Sequence, residues 1–444
     1  MSHGAGPLFL GVDAAGTILA EHIAGYEVLT PAPLWAEQWP QVWLEGLSAA
    51  VRGALTAPGV DPGRVAAMAV SSLYGGSGVP VDAALEPVRP CLIWLDRRAR
   101  AESDWVRAAL PVDRLVEVTG NGVDSYYGFT KILWLQRHEP DNWAKTRYLL
   151  PPNAFLIQRL TGALAVDHSS AGNIGGVYDI RERAWSAETC GLLGIPIQRF
   201  PERLVASHEV VGRLHAEGAR LTGLPEGVPV CAGGVDAAAA TLSAGVLGEG
   251  RHVAMMGTSM CWGFAHHSRP TEAGLVSMPY VLLPEELTYT FGGSATAGAV
   301  PKWFRDQLGG VETAVEQWSS DVGGPDAYAQ LDARAATVPP GSDGLLVLPY
   351  LMGERSPVWD PDARGTITGL TLYHTRAHLY RACLEGVAFA LRHNVEAGRA
   401  AGYPLDDLLH VVGGGARSRL WLEILASVVG LPLVAAQGGE AAFG

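Results

Sequence analysis

Lysine is rare in this chain of 444 residues, and its lysines stand in no nucleotide-binding motif. Only Lys131, Lys145 and Lys302 occur, and none follows a glycine in a Walker A arrangement. No GxGxxG follows the first apolar segment, and the sequence contains no GxSxG. The chain is therefore not a P-loop NTPase, and it shows no sign of a Rossmann dinucleotide site or of an α/β-hydrolase nucleophile.

Cysteine and basic residues are also few. The five cysteines are scattered without a CxxC pair, which argues against a structural zinc site or a disulfide framework and predicts a reducing, cytoplasmic setting. Asp and Glu (45) outnumber Lys and Arg (32), and the net charge of -13 disfavours nucleic acid and anionic membranes as partners. No apolar run reaches the roughly 18 residues of a membrane helix, and the N-terminus has no signal-peptide pattern. We therefore expect a small-molecule substrate.

The residues that are present describe a well-packed α/β protein. Hydrophobic residues make up 48% of the chain and charged residues 17%. Short apolar strand patterns alternate with longer helical patterns, which predicts an α/β fold class. The length exceeds one compact core and predicts two domains, 1–245 and 246–444. A strand, a Gly-Thr turn and a second strand occur near residue 13 and again near residue 257, which indicates two related halves.

The element boundaries predicted from these patterns are as follows. The predicted strands are Leu8–Val12, Ile18–Val28, Val65–Ser71, Cys91–Trp94, Val228–Ala232, His252–Met256, Leu287–Phe291 and Leu345–Pro349. The predicted helices are Trp39–Leu55, Ala99–Leu110, Thr130–His138, Thr296–Gln307, Arg376–Ala401 and Ser418–Val429.

Two short motifs carry the clearest chemistry. Gly233-Gly234-Val235-Asp236-Ala237 follows a strand pattern, and its small neighbours leave the Asp236 carboxylate accessible as a general base. Gly257-Thr258-Ser259, 21 positions after Asp236, follows a second strand pattern and offers N–H groups and hydroxyls to phosphate oxygens. Together they predict phosphoryl transfer. Structural alternatives stay open: a tight strand-to-helix turn, Asp236 as a helix N-cap, and residues 257–259 as an ordinary hairpin turn.

Further segments follow in the order typical of one enzyme family. They are Trp35–Gln38, Val81-Asp82, Leu92–Arg98, Tyr126–Trp134, Gly292–Ser294 with Gly298, Gly353–Pro357, Gly365–Glu385 and Gly413–Ala416. With the two motifs above, they make the chain resemble the FGGY carbohydrate kinases over nearly its whole length. The resemblance implies two actin-like (ribonuclease H-like) domains flanking a deep cleft, and transfer of the γ-phosphate of ATP to a hydroxyl of a small carbohydrate.

The resemblance also assigns roles to residues of both halves. It makes Asp236 the catalytic general base, which takes the proton from the sugar hydroxyl as this hydroxyl attacks the γ-phosphate. It implies ATP and Mg²⁺ as cofactors, with Asp13 as the metal ligand. The residues implied to bind the nucleotide are Gly257, Thr258, Ser259, Gly298, Gly414, Gly415 and Ser418.

Sugar contacts are expected from the first domain. The implied residues are Leu73, Tyr74, Asp96, Arg97, Tyr126 and Asp236, although a core position suits Tyr126 equally well. Xylulose kinases typically carry Gln-Met-His-Gly where this chain reads Ser71-Ser72-Leu73-Tyr74-Gly75-Gly76-Ser77-Gly78, so the sugar stays open. The surroundings of residues 35–38 and of Asp96 are most similar to the xylulose-kinase branch. A pentulose such as xylulose is therefore the first candidate, ahead of ribulose, a deoxy-sugar or a polyol.

Both ends of the chain depart from the family pattern. Too few residues separate Asp13 from Pro31 for two strands and their turn, so we expect one strand to be missing, although a rival alignment stretches the turn over residues 13–17. Residues 438–444 resemble only the beginning of a closing helix. These gaps raise a second hypothesis, an FGGY-fold sugar- or nucleotide-binding protein that transfers phosphate poorly. An actin- or Hsp70-like ATPase is the third, and a homodimer stays open.

Overall fold

The structure is a computed structural model that describes residues 8–14, 16–73, 75–268 and 274–435. These residues fall into two compact units. The first unit holds the described residues up to Ala239 together with Ser277–Thr288. The second holds Ala240–Ser268, 274–276 and 289–435. The sequence-based boundary at residue 245 stays a prediction. No helix in these ranges is long and apolar enough to cross a membrane.

The strands of the first unit are short. They are β1 (Leu8–Val12), β2 (Ile18–Ile23), β3 (Glu37–Gln38), β4 (Met68–Ser72), β5 (Val79–Val81), β6 (Cys91–Leu92), β7 (Tyr148–Leu150), β8 (Val166–Asp167), β9 (Tyr178–Asp179), β10 (Ala184–Trp185), β11 (Leu204–Val205), β12 (Val210–Arg213) and β13 (Pro229–Val235). The central sheet has the order β12-β13-β4, and β13 runs parallel to β4. The carboxyl ends of β4 and β13 therefore meet at one edge of the sheet.

Helices cover this sheet and fill the rest of the first unit. They are α1 (Pro40–Ala54), α2 (Arg100–Ala109), α3 (Val112–Thr119), α4 (Gly128–His138), α5 (Pro140–Lys145), α6 (Pro152–Thr161), α7 (His168–Asn173), α8 (Ala187–Leu193), α9 (Ala216–Thr222) and α10 (Asp236–Ser243), which begins in this unit. Proline starts α1, α5 and α6, where its missing N–H costs no helical hydrogen bond. The apolar face of α1, with Trp43, Leu47 and Val51, packs into the same buried core as Val230 of β13.

A sheet with long helices dominates the second unit. The strands from residue 252 onwards are β14 (His252–Met256), β15 (Met260–His266), β16 (Val276–Pro279), β17 (Thr288–Gly292), β18 (Leu346–Leu348), β19 (Thr366–Thr368), β20 (Leu409–Val412) and β21 (Leu433–Ala435). The helices are α11 (Ala299–Leu308), α12 (Gly310–Ser319), α13 (Ala327–Ala335), α14 (Arg376–Ala400) and α15 (Arg419–Val429). Five strands lie side by side in the order β17-β15-β14-β20-β21. A buried core that includes Trp262, Phe264, Leu384 and Leu425 joins α14 and α15 to this sheet.

The structure confirms the predicted α/β class and several predicted elements, whereas some strands of the first unit differ in length, with β13 longer than predicted. β14 has the predicted bounds, and α14 ends one residue before its predicted end. The prediction of a strand over Ile18–Val28 is too long, because β2 ends at Ile23, which pairs with Leu8 at the start of β1. The strand predicted over Cys91–Trp94 ends at Leu92, because its partner β3 has only two residues.

Candidate active site

The candidate catalytic carboxylate lies where β13 ends. β13 passes directly into α10, whose first residue is Asp236. The pairing of β13 with β4 shifts register between Cys231 and Gly234, and Gly233 in this bulge has a φ of 65°. A Cβ at Gly233 would overlap the carbonyl oxygen of Val70. Only glycine fits this close approach, so the Gly-Gly pair makes the tight passage from strand to helix that the sequence predicts.

Asp236 keeps part of its side chain in contact with solvent, while protein atoms crowd its carboxylate. The protein atoms packed around the carboxylate desolvate it and raise the pKa of Asp236 to about 7, although a 2.7 Å hydrogen bond from the backbone N–H of Ala237 acts in the opposite direction. Burial, and second the charge of Asp236, raise the pKa of Tyr26 as well. A carboxylate that is partly ionised at neutral pH is a suitable general base.

A buried polar network holds the end of β13 in place. The backbone N–H of Val235 donates to Ser169 Oγ (3.0 Å), and this hydroxyl donates to Asp167 Oδ1. Asn153 Nδ2 donates to Asp167 Oδ2 (2.7 Å) and to the carbonyl of Ala232 (3.1 Å). Asn153, Asp167 and Ser169 are each at most 1% exposed, so water does not compete for these bonds. The network therefore fixes the strand that carries the candidate base.

Sequence reasoning missed this network. Asp167 caps α7 by accepting a hydrogen bond from the N–H of Ser170 (2.9 Å), and a capping aspartate is a recognisable local signal. The bond from Val235 to Ser169 spans 66 positions, however, and no local pattern indicates it.

The loop after β4 lines a cavity of about 20 Å³ beside the end of β13, which has room for a water molecule and not for a whole sugar. Ser72 pairs with Val235, so the loop and the candidate base follow neighbouring strand ends. Leu73, one of the predicted sugar contacts, lines this pocket. Further lining comes from Gly75, Gly76, Pro152, Asn173 and Val235. Tyr74, another predicted sugar contact, lies outside the described residues.

Arg97 and Tyr126, two further predicted sugar residues, lie close together. The guanidinium carbon of Arg97 is 5.7 Å from the centroid of the Tyr126 ring. Arg97 Nη1 also donates to Asp124 Oδ1 (2.6 Å). Tyr126 is only 1% exposed, so its ring packs in the core, which is the alternative that the sequence leaves open. Sugar contacts by these two residues stay predictions.

Asp96, the remaining predicted sugar residue of this region, is completely buried. Its Oδ2 accepts hydrogen bonds from the backbone N–H of Ala36 (2.6 Å) and from Arg98 Nε (2.8 Å). Arg98 Nη2 lies 2.7 Å from the same oxygen and completes an ion pair. These bonds give Asp96 a structural role, and a sugar contact by this carboxylate stays a prediction.

In the second unit, the predicted phosphate-binding motif is the turn between β14 and β15. Gly257, Thr258 and Ser259 connect these antiparallel strands. The carbonyl of Thr258 accepts hydrogen bonds from the backbone N–H groups of Ala297 (2.9 Å) and Ala299 (3.0 Å). The start of α11 therefore rests against the turn. The motif is a hairpin turn and also lies beside a helix N-terminus, where anions bind favourably.

Gly298 allows this close approach. It caps α11, and its N–H donates to the carbonyl of Gly257 (2.9 Å). A Cβ at Gly298 would lie 2.6 Å from that carbonyl oxygen, closer than ordinary contact allows. The predicted nucleotide residue Gly298 is thus required for the backbone geometry of the turn.

The glycine-rich loop after β20 lies beside the same end of β14. Gly413 has a φ of 92°, and a Cβ there would lie 2.9 Å from the carbonyl oxygen of Met256, the last residue of β14. A Cβ at Gly415 would lie 2.8 Å from Met256 Cβ, whereas Gly414 is exposed and has open space around it. The structure therefore brings Gly257, Gly414 and Gly415 to one edge of the sheet.

Ser418 lies at the start of α15, directly after this loop. Its Oγ accepts a hydrogen bond from the N–H of Trp421 (3.0 Å) and donates to Asp332 Oδ2 (2.6 Å). Burial raises the pKa of Asp332. Ser418 is therefore the N-cap of α15, and its contact with a nucleotide stays a prediction.

Glu354 and Arg355 contact the backbone next to the turn between β14 and β15. The Glu354 carboxylate accepts hydrogen bonds from Ser294 Oγ (2.6 Å) and from the N–H of Ala295 (3.0 Å). Arg355 Nη2 donates to the carbonyls of Met260 and Ser294, both at 3.2 Å. Both side chains are buried, and they tie the loop after β17 to the start of β15.

Asp13 lies in the turn between β1 and β2. Its Oδ1 accepts a hydrogen bond from the N–H of Thr17 (2.9 Å), and the carboxylate is exposed. Between β2 and α1 the chain forms the two-residue strand β3. The loss of a family strand between Asp13 and Pro31 stays a prediction. Across the described ranges, no three His, Cys, Asp or Glu side chains form a metal-binding group. A magnesium contact by Asp13 stays a prediction.

Comparisons with known proteins agree with the resemblance. The profile of the FGGY family of carbohydrate kinases, N-terminal domain, matches residues 9–243, and that of the C-terminal domain matches 252–444. Xylulose kinase of Escherichia coli (strain K12) is 30% identical over 426 residues, which cover 96% of this chain and 83% of that protein. Xylulose kinase of Bacillus subtilis (strain 168) is 29% identical over 419 residues, covering 94% and 80%.

Solved structures show the same fold. The crystal structure of xylulose kinase from Rhodospirillum rubrum superposes with a TM-score of 0.86 and 31% identity, and covers 98% of this chain and 85% of that chain. This likeness confirms the predicted two-domain kinase fold. The chain belongs to the FGGY family of carbohydrate kinases.

Proposed function

We propose that this protein phosphorylates a pentulose, with xylulose as the first candidate, at the expense of ATP. The observation that carries the proposal is the placement of Asp236. Its carboxylate has a pKa raised to about 7 and directly follows Val235, which lines a pocket at the sheet edge. Family membership makes phosphoryl transfer to a sugar the reaction that such a base serves.

In this proposal the sugar binds at the carboxyl ends of β4 and β13, next to Asp236 at the start of α10. Asp236 accepts the proton of the attacking hydroxyl as its oxygen forms the new bond to the γ-phosphorus. The bond between that phosphorus and the bridging oxygen breaks, and the electron pair leaves with ADP. The hydrogen bonds through Asp167 and Ser169 hold the end of β13 in place, so Asp236 is in position before the sugar reacts.

The second unit supplies the groups that suit ATP. The N–H groups of the turn at Gly257–Ser259, next to the start of α11, suit phosphate oxygens. The loop at Gly413–Gly415 suits the adenosine, because glycines let the backbone approach a flat ring. The net charge of -13 offers no general attraction to an anion. Binding of the ATP phosphates by local backbone N–H groups does not need such an attraction.

The donor set also fits a magnesium ion that arrives with ATP. Magnesium is commonly held by one or two protein carboxylates together with phosphate oxygens and water. Asp13 is an exposed carboxylate of this kind and would be the protein ligand. When bound, the ion neutralises charge on the phosphate groups.

Xylulose is the first candidate because of the relatives, although the sequence of this chain differs at the loop of residues 71–78. The two relatives described above are both named xylulose kinases. Xylulose kinases typically carry Gln-Met-His-Gly in this loop to bind sugar hydroxyls. Residues 71–78 of this chain lack that motif, and Leu73 places an apolar group at the pocket. A pocket wall of this composition makes fewer hydrogen bonds, so we expect a less strict choice among pentuloses.

The test is a coupled assay of ADP release with Mg²⁺-ATP across pentuloses, hexoses and polyols. We expect release that depends on sugar and is fastest with a pentulose. Release without any sugar would indicate an actin- or Hsp70-like ATPase, and sugar binding without release would indicate the impaired FGGY-fold protein; either result contradicts the proposal. Use of ATP and a small sugar places the proposed activity in the cytoplasm.

A further inference from the structure

Lys131 of α4 is completely buried beside the candidate sugar site, and the proposed mechanism does not use it. Its Nζ donates hydrogen bonds to the backbone carbonyls of Gly75 (2.8 Å), Ser125 (2.9 Å) and Tyr126 (2.5 Å). An ammonium group has three N–H donors, and here three carbonyl oxygens receive them. The charge is therefore hydrogen-bonded entirely to main chain.

These carbonyls belong to two separate segments, one of which lines the pocket. Gly75 lies in the loop after β4, and Ser125 and Tyr126 precede α4. Gly75 is held from its other side as well, because its N–H donates to Asn173 Oδ1. Gly75 and Asn173 both line the pocket, so Lys131 fixes part of the pocket wall.

The neighbouring carboxylates do not explain a lysine at this position. Asp96 is paired with Arg98, and Asp124 is paired with Arg97. Burial, and second the charge of Arg97, lower the pKa of Lys131 to about 7, whereas the two carboxylates act in the opposite direction. An apolar side chain would avoid the cost of burying a charge. What a lysine adds at this position is the set of three hydrogen bonds.

A glycine contact shows how closely these segments approach each other. A Cβ at Gly128, the first residue of α4, would overlap the carbonyl oxygen of Gly76. The loop after β4 therefore lies directly on the start of the helix that carries Lys131. A loop with this many glycines has many accessible conformations when it is not held, and Gly75 itself has a φ of 69°.

We propose that Lys131 is a positioning residue that holds one wall of the candidate sugar site by joining the loop after β4 to the Ser125–Tyr126 segment. The inference rests on the proposed function, because it assigns this loop to the sugar site. Lys131 contacts neither sugar nor ATP in this account. Its loss displaces this wall and leaves the turns of the second unit unchanged.

The test compares Lys131→Met with Lys145→Met, the same substitution at an exposed lysine of α5 in the same unit. We expect Lys131→Met to raise the KM for the sugar about tenfold to a hundredfold, with the KM for ATP unchanged. Lys131→Gln, which keeps amide donors, should raise it less, and it carries the test if the methionine variant does not fold. A folded variant with an unchanged sugar KM, or with equal rises in both KM values, overturns the proposal.

Hydrogen exchange separates this inference from the proposed function. If the wild-type protein releases no ADP with any sugar, the function fails, but the role of Lys131 is still decided by deuterium uptake. Uptake over residues 75–81 and 124–128 should rise in Lys131→Met or Lys131→Gln relative to Lys145→Met, while the second unit stays unchanged. Equal uptake in these peptides overturns the positioning role.

Discussion

The two units build their parts of the candidate site from different groups. In the first unit the key groups are side chains, Asp236 and the buried Asn153, Asp167 and Lys131 that hold its surroundings. In the second unit they are backbone groups at glycines that cannot carry a Cβ, such as Gly298. Hydroxyls of a sugar are distinguished by directed side-chain bonds, whereas phosphates are bound well by N–H groups. Each unit is therefore sensitive to a different kind of substitution.

The two hairpins show a related contrast. Every residue of β14 is buried, and the β14–β15 hairpin lies in the middle of a sheet. β1 and β2 form a two-stranded sheet in which Val12 (57%) and Leu19 (56%) are exposed. A two-stranded sheet is only marginally stable by itself. The Gly257 turn thus lies inside a larger sheet, whereas the turn at Asp13 joins the strands of a separate two-stranded sheet that packs against α1.

The largest effect is expected from Asp236→Asn. The asparagine keeps the size of the side chain but cannot accept the hydroxyl proton, so kcat should fall by about 10²–10⁴-fold. Sugar affinity, measured by titration calorimetry, should change little. A variant that keeps most of its turnover would show that the first unit does not supply the base.

A smaller effect is expected from a Cβ in the second unit. Gly298→Ala should displace the turn at Gly257 and lower kcat/KM for ATP by about tenfold to a hundredfold, with an unchanged KM for sugar. Thr258→Ala is the matched variant, because it removes a side chain and keeps the backbone donors. If Thr258→Ala were the more damaging of the two, the turn would act through its hydroxyl, and the contrast between the units would be wrong.

The smallest effect concerns the network behind Asp236. Asp167→Asn replaces one carboxylate oxygen by an NH2 group, so either Ser169 and Ser170 or Asn153 lose their acceptor, and the free energy of unfolding should fall by about 1–3 kcal/mol. Asp104→Asn, at an exposed ion pair of α2, is the control and should change it by less than about 1 kcal/mol. Denaturant unfolding followed by tryptophan fluorescence measures both. Equal stabilities would show that the buried network does not hold β13.

The sequence predicts those parts of the fold that depend on local pattern. β14 is a continuous apolar segment and α14 a long amphipathic one, and both are found at their predicted positions. Strand ends in the first unit are set by the partner strand, as at Ile23. The sequence overestimates the length of β2 and underestimates that of β13. The roles of Lys131 and Ser169 depend on bonds between distant segments, which no local pattern indicates.

The pH dependence of kcat/KM for the sugar tests the central claim most directly. Because Asp236 must be ionised to accept a proton and its pKa is raised to about 7, kcat/KM should rise with pH and level off above about pH 7. The residual activity of Asp236→Asn should lack this rise. A wild-type profile that is flat between about pH 5 and pH 8, or an equal rise in the variant, would contradict Asp236 as the general base.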